Sequence, residues 1–78
     1  MTVDHLDPTP LWKQLAAVLR QMIESGKLKP RNPLPSESTL QQEYGVSRGT
    51  IRKALADLRA DDLIVTIAGR GTFVKPHS

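Results

Sequence analysis

Hydrophobic residues recur at helical spacing over three segments of this chain, residues 10–25, 37–44 and 48–60. Intervals of three and four residues place side chains on one face of a helix. The first segment carries its apolar stripe at Leu11, Leu15, Val18, Leu19, Met22 and Ile23. The third segment carries one at Ile51, Ala54, Leu55 and Leu58. The pattern therefore predicts three amphipathic helices.

The residues that flank these segments favour the same boundaries. Thr9 suits the N-cap of the first helix with Pro10 in its first turn, and Gly26 suits the left-handed position after its end. Ser36 and Ser47 are the expected N-caps of the second and third helices, where each hydroxyl accepts a backbone N–H of the first turn.

A β-type pattern follows the third helix. Residues 63–67 are rich in β-branched side chains, residues 68–71 form a turn containing glycines, and residues 72–74 predict a returning strand. A two-stranded hairpin is marginally stable alone, so we expect it to pack on the helices. The expected anchors are Phe73 and some of Leu63, Val65 and Ile67.

This order of elements predicts a mainly α fold with a small β-hairpin, a winged helix-turn-helix of three helices and a two-stranded wing. We expect this domain over residues 10–75, with a flexible N-terminal arm at 1–9 and a tail at 76–78. The proline-rich connector 26–35 should be extended. Its inward-pointing side chains are expected to be Leu28 and Leu34.

Charge adds information mainly through its distribution. The 78 residues carry a net charge of +3. Residues 1–46 hold five cations and five anions, whereas residues 47–78 hold six cations and three anions. Helix starts favour anions, yet Arg48, Arg52 and Lys53 crowd the start of the third helix. A solvated surface is the plain alternative for so small a charge, but this arrangement suits a polyanion such as nucleic acid.

Several other classes of function are not supported by the sequence. It has no cysteine for a disulfide or a thiolate metal site, and no apolar run near the ~18 residues that span a bilayer. No nucleophile-elbow, phosphate-loop or metal-ligand spacing occurs, and His5 and His77 fall in predicted tails. We therefore expect a cytoplasmic protein that is no enzyme, binds no cofactor or metal, has no membrane partner and leaves no cavity for a small-molecule effector.

The outward residues of the third helix suit a DNA groove. Arg48 and Arg52 are four apart and project together, and either guanidinium could bind a guanine edge or a phosphate. For Arg52 we favour a base contact, with an ion pair to a nearby acid as the alternative. For Arg48 a base contact and a phosphate contact both stay open. Lys53 suits phosphate. Gly49 would allow close approach to a major groove about 12 Å wide, unless it is merely tolerated in a first turn.

Other polar residues have weaker signals. Thr50 suits a cap or a phosphate contact, and Ser36 and Ser47 could add phosphate contacts to their capping role. Arg70 at the turn next to Gly71 could lie over a narrow minor groove or flanking phosphates, although a turn arginine is often only solvated. Two aromatic residues could stack on single strands, but core packing is favoured for them. They are Trp12 and Tyr44.

Four ordered motifs resemble the GntR family of bacterial transcription regulators. They are residues 23–30 (IESGKLKP), 34–37 (LPSE), 46–55 (VSRGTIRKAL) and 69–74 (GRGTFV). The resemblance implies a winged helix-turn-helix that binds a palindromic operator as a dimer. It further implies DNA contacts at the start of the second helix and at Arg48, Thr50, Arg52, Arg70 and Gly71.

The chain departs from the family pattern at three positions. Ser38 stands where the family usually has an arginine that often reads DNA, which removes one potential guanine contact. Arg31 and Asp62 stand where glycines are common. Aspartate tolerates the left-handed backbone better than most residues, whereas Arg31 needs a changed loop or adds a phosphate contact.

The sequence thus predicts a sequence-specific double-stranded DNA-binding regulator, expected to be a repressor and at most a weak homodimer. The alternatives are a winged-helix protein-interaction module and a non-specific nucleic-acid-binding protein. Family members usually continue into an effector-binding and dimerising domain, whereas this chain ends just past the wing. We favour a naturally short protein over a domain of a longer regulator.

Overall fold

The computed structural model describes residues 3–76, and its elements follow the predicted order. They are the helices α1 (Leu11–Glu24), α2 (Glu37–Tyr44) and α3 (Arg48–Ala60), then the strands β1 (Ile64–Ile67) and β2 (Gly71–Val74). The expected winged helix-turn-helix is confirmed. The bounds of α2 and α3 coincide with the prediction, while α1 is one residue shorter at each end.

The helix ends confirm two of the three expected caps. Ser36 and Ser47 have extended backbones and accept the N–H of Thr39 and Thr50. The expected cap at Thr9 is wrong, because Pro10 occupies the N-cap position and no side chain caps α1. The Pro10 carbonyl accepts the first backbone bonds instead, from Lys13 and Gln14.

One apolar core joins α1 to α3. The largest fully buried side chains are Leu15, Leu19, Leu40, Ile51, Leu58, Ile64 and Val74. Outside this core, Arg20 of α1 forms ion pairs with Asp57 and Asp61 of α3. Both apolar packing and charge therefore fix the angle between these two helices.

Of the expected anchors of the wing, Leu63 is confirmed, but the fully buried pair is Ile64 and Val74. Ile64 and Val74 face each other in the antiparallel register and are each 1% exposed. Phe73 and Val65 are only partly buried, and Ile67 is 44% exposed. Alternate strand residues point to opposite faces, so a register displaced by one residue exchanges the buried and outer sets. Leu63, just before β1, does pack against the core.

The connector before α2 pairs with the outer edge of β2. Val74 N–H donates to the Asn32 carbonyl over 2.9 Å, Arg31 N–H donates to the Val74 carbonyl over 2.8 Å, and Leu34 N–H donates to the Thr72 carbonyl over 2.9 Å. Leu34 is buried and Leu28 packs against the core, as expected. The connector therefore lies beside β2 as a third extended segment of the wing.

Arg31 and Asp62, which stand where glycines are common, both have a left-handed backbone conformation. Asp62 has φ +59°, as expected, and Arg31 has φ +71°. The backbone at Arg31 thus has the conformation that glycine favours. An arginine in this conformation costs roughly 1–2 kcal/mol of folding free energy.

The flexibility of the arm at 1–9 stays a prediction, and two of its described residues, Val3 and Asp4, contact the rest of the fold. Val3 is 6% exposed, and Asp4 exchanges two hydrogen bonds with the Gln14 side chain. The Thr9 N–H donates to the Asp7 carboxylate and holds the pKa of that carboxyl below its usual value. His77 of the predicted tail lies outside the described residues. No helix within residues 3–76 is long and apolar enough to cross a bilayer.

The buried and outer faces of β1 can be separated by one matched pair of variants. Ile64→Ala should lower the free energy of unfolding by about 2–4 kcal/mol, because it opens a cavity in the core. Ile67→Ala, the same change on the exposed face, should cost under about 1 kcal/mol. Urea unfolding followed by circular dichroism measures both, and equal losses would contradict the register.

Candidate nucleic-acid interface

The start of α3 is organised by Ser47. Its hydroxyl oxygen accepts the Thr50 N–H over 3.2 Å and donates to the Thr50 hydroxyl oxygen over 3.0 Å. The first turn contains no acidic residue, so no carboxylate offsets the positive end of the helix dipole there. The positive end of the α3 dipole is therefore not neutralised by a carboxylate of the first turn, and it lies beside two arginines, Arg48 and Arg52.

The side of α3 that faces away from the core carries small side chains and positively charged ones. Ile51, Ala54 and Leu55 are buried, whereas Arg48, Gly49, Arg52, Lys53 and Ala56 are exposed. We call the exposed surface formed by Arg48, Arg52, Lys53 and the wing residue Arg70 the basic face.

Gly49 has no requirement for glycine within the described residues. Its φ is not positive, and an added Cβ would meet only the Ser47 hydroxyl, at an ordinary 3.9 Å. The described structure therefore leaves room for a side chain at position 49.

Arg52 forms the ion pair that the sequence left open as an alternative. Its Nε lies 3.7 Å from the Glu37 Oε2. The Arg52 side chain is 67% exposed, and an ion pair this exposed contributes at most about 1 kcal/mol. Because no hydrogen bond holds the guanidinium within the described part of the chain, its terminal nitrogens stay available to a ligand.

The start of α2 lies opposite the wing. Ser36 accepts the Thr39 N–H over 3.1 Å, so its hydroxyl caps α2. Ser38 is exposed, and its side chain makes no hydrogen bond within residues 3–76. A cleft of about 380 Å³ runs between the two elements, and its lining includes Ser36, Glu37, Arg59, Arg70 and Gly71. The cleft therefore places the start of α2, one side of α3 and the wing tip on one surface.

The wing tip is a tight turn that presents Arg70. The Arg70 N–H donates to the Ile67 carbonyl over 3.0 Å. Gly69 and Gly71 have φ of +77° and +114°, which L side chains rarely adopt. The Arg70 side chain is exposed and has no hydrogen bond or ion pair among the described residues. The two glycines thus hold the arginine at the extremity of the hairpin.

The acids of the C-terminal half have cationic partners outside the basic face. Asp57 and Asp61 pair with Arg20 of α1, and Asp62 pairs with Lys75 over 3.2 Å. Glu37 is the one carboxylate that lines the cleft. Cations therefore outnumber carboxylates at the basic face, as a surface for polyanions requires.

Two features of this surface were missed by sequence reasoning. Neither Glu37 nor Arg59 was assigned a role at this surface. Arg59 follows Arg52 by seven residues, close to two helical turns, so their shared side could have been found from the spacing. Their partners, Glu37 and Thr66, could not, because each belongs to another element that folding brings against α3.

The two candidate stacking residues have core positions, as favoured from the sequence. Trp12 and Tyr44 are partly buried and pack against the core. Burial raises the pKa of the Tyr44 hydroxyl, and the neighbouring Glu43 carboxylate raises it further. The Lys13 ammonium lies 5.8 Å from the centre of the Trp12 ring.

Comparison with known proteins points to one family. The family model described as "Bacterial regulatory proteins, gntR family" matches residues 11–74. The chain is 48% identical over 66 residues to the mannosyl-D-glycerate transport/metabolism system repressor MngR of Escherichia coli (strain K12), which covers 85% of this chain and 28% of MngR. This chain spans less than a third of the length of the curated relatives that it matches.

Solved structures share the fold. YtrA from Sulfolobus acidocaldarius, a GntR-family transcription factor, aligns with a TM-score of 0.88 and 34% identity over 99% of this chain and 81% of YtrA. AraR(DBD) in complex with operator ORX1 aligns with a TM-score of 0.84 and 37% identity over 95% of this chain and 92% of AraR(DBD).

The cap of α3 predicts a difference between two serines near this surface. Ser47→Ala should lower the free energy of unfolding by about 1 kcal/mol, because the Thr50 N–H loses its acceptor. Ser38→Ala, the same change at an exposed position without a hydrogen bond, should stay within about 0.5 kcal/mol. Equal unfolding midpoints for the two variants in urea would show that Ser47 is no cap.

Proposed function

This chain belongs to the gntR family of bacterial regulatory proteins, and from that premise we propose that it binds double-stranded DNA sequence-specifically and represses transcription. The observation that carries the proposal is the basic face. Arg48, Arg52 and Lys53 are exposed along α3, and Arg70 of the wing tip lines one cleft with Ser36 at the capped start of α2. We propose further that it acts in the bacterial cytoplasm and has no catalytic activity.

The proposed docking follows the geometry of helix-turn-helix proteins. In these proteins the second helix of the pair enters the major groove while the first crosses the backbone. Here α3 enters the groove with its small residues Gly49 and Ala56 outward, and the start of α2 crosses the backbone at Ser36. The wing tip with Arg70 and Gly71 reaches the adjacent minor groove or its phosphates.

Each residue of the basic face has a proposed role. Arg52 reads a guanine through its free terminal nitrogens, with Glu37 against its Nε edge. Arg48 contacts a base or a phosphate, and Lys53 binds a phosphate. Phosphate contacts are proposed also for the hydroxyl groups at the two helix starts, because a hydroxyl whose oxygen accepts a capping N–H still has an O–H that can donate to a phosphate oxygen. They are those of Ser36, Ser47 and Thr50.

Ser38 narrows the proposed readout. Its short hydroxyl cannot span a guanine edge as an arginine fork does, so the discrimination that such an arginine supplies, roughly 1–3 kcal/mol, is absent. Base reading then depends mainly on Arg52 and Arg48. We propose a palindromic operator read by two copies, because paired half-sites would double the few base contacts of one copy. AraR(DBD) was solved with an operator, which supports a DNA operator as the ligand.

Selection of bound sequences from random duplexes tests the function directly. We expect an enriched motif arranged as a two-fold repeat. A single unrepeated motif would retain the function and overturn the palindrome. Binding that weakens steeply with salt but enriches no motif would leave non-specific nucleic-acid binding, and absence of any duplex binding would favour a protein partner.

Base reading and phosphate binding are separated by two substitutions on the selected duplex. Arg52→Ala should cost about 1–3 kcal/mol of binding free energy on the selected sequence and far less on a scrambled one, because only the base contact is sequence-dependent. Lys53→Ala should weaken both by the same factor and reduce the salt slope by about one. Fluorescence anisotropy titrations at several salt concentrations measure these effects.

The control is Lys27→Ala, which removes an equal charge beside Gln21 and Ser25, outside the basic face. This variant should change the affinity for the selected duplex and for the scrambled duplex by no more than about twofold. Equal losses for Arg52→Ala on selected and scrambled duplexes would refute base reading by Arg52.

A further inference from the structure

Arg59 joins the last turn of α3 to the wing. Its guanidinium donates from Nη2 to the Thr66 hydroxyl oxygen over 2.8 Å. The Thr66 hydroxyl in turn lies 3.1 Å from the Thr72 hydroxyl on the facing strand. Thr66 and Thr72 are register partners, and the next pair, Ile67 and Gly71, is the last before the turn. The arginine thus grips the hairpin one residue pair below its tip.

The base of the wing is held in a different way from its tip. Ile64 and Val74 are buried in the core and fix the base. Beyond them β2 is held by the connector, through the Leu34 N–H and the Thr72 carbonyl. β1 has no backbone partner on its outer side within the described residues, and Ile67 is exposed. The Arg59 side chain is therefore the contact that ties the distal half of β1 to a helix.

This contact has little capacity to stabilise the whole fold. Arg59 and Thr66 are both exposed, and exposed polar pairs add little to the free energy of unfolding. The connector holds β2 as far as Thr72, whereas β1 has no backbone partner on its outer side among the described residues, so a tether at Thr66 acts on the strand that is less restrained. Arg59 also lines the cleft beside Arg70 and Ser36.

We propose that Arg59 is a positioning residue that, through Thr66 and Thr72, sets the distance between Arg70 at the wing tip and the exposed side of α3. The inference rests on the proposed function, because it assigns to Arg59 the task of making the wing contact coincide with the groove contact of Arg52. Arg59 lies on the same side of α3 as Arg52, so both flanking elements are fixed to one side of this helix, α2 through Glu37 and the wing through Thr66.

The first test uses the free protein and needs no DNA. Backbone ¹⁵N relaxation of residues 68–71 should show high order parameters, about 0.8, in the parent chain and values toward 0.6 in Arg59→Met and Thr66→Val. Thr66→Ser retains the hydroxyl and should restore the parent values. Thr66→Val leaves the Arg59 charge in place, so its effect isolates the hydrogen bond. Unchanged order parameters in both Arg59→Met and Thr66→Val would overturn the positioning role.

The second test is a double-mutant cycle on the selected duplex. Arg59→Met should weaken binding roughly threefold to tenfold in the parent chain and hardly at all in an Arg70→Ala background, because the two residues act through one contact. An undiminished loss in that background would mean that Arg59 meets DNA itself, and would overturn the proposal. If no duplex binds at all, the proposed function fails while the relaxation experiment still decides whether Arg59 orders the wing.

Discussion

The burial of one side of α3 against α1 is the constraint on which the remaining structure depends. Ile51 and Leu58 are each 0% exposed beneath Leu15 and Leu19 of α1. With that side fixed in a close-packed core, rotation of α3 about its axis would expose apolar surface, at about 25 cal/mol for each Å². The orientation of Arg48, Arg52 and Lys53 toward solvent is therefore set by apolar packing and not by their own charge.

Ion pairs and hydrogen bonds at the surface then orient the side chains and elements whose positions apolar packing has set. The acids of α3 and of its C-terminal end are paired with Arg20 and Lys75. Two arginines of α3 contact neighbouring elements instead, Arg52 at Glu37 and Arg59 at Thr66. All these contacts are at least partly exposed, so they orient side chains and elements more than they stabilise the fold. A rigid core with an adjustable charged surface is what a groove-binding domain requires.

The sequence predicted local features well and long-range ones less well. The bounds of α2 and α3 follow from serine caps and helical periodicity, which act within a few residues. The wing anchors could not be assigned, because a run such as Leu63 to Ile67 is apolar at nearly every position and has no clear alternation from which to choose the inner face. Glu37 and Arg59 were missed for a related reason, since their partners are brought near only by folding. The left-handed backbone of Arg31 accompanies a hydrogen bond from its N–H to the Val74 carbonyl, a partner that is far away in the sequence.

The central claim is that a duplex lies across the exposed side of α3 and the wing tip. It is tested most directly by ¹H–¹⁵N resonance shifts of the full chain during titration with the selected duplex. Our account predicts the largest shifts in residues 47–53 and 69–71, smaller ones in 36–38, and little change along the buried side of α1. Shifts concentrated instead on the outer wing residues Val65, Ile67 and Phe73, or none with any duplex, would contradict it.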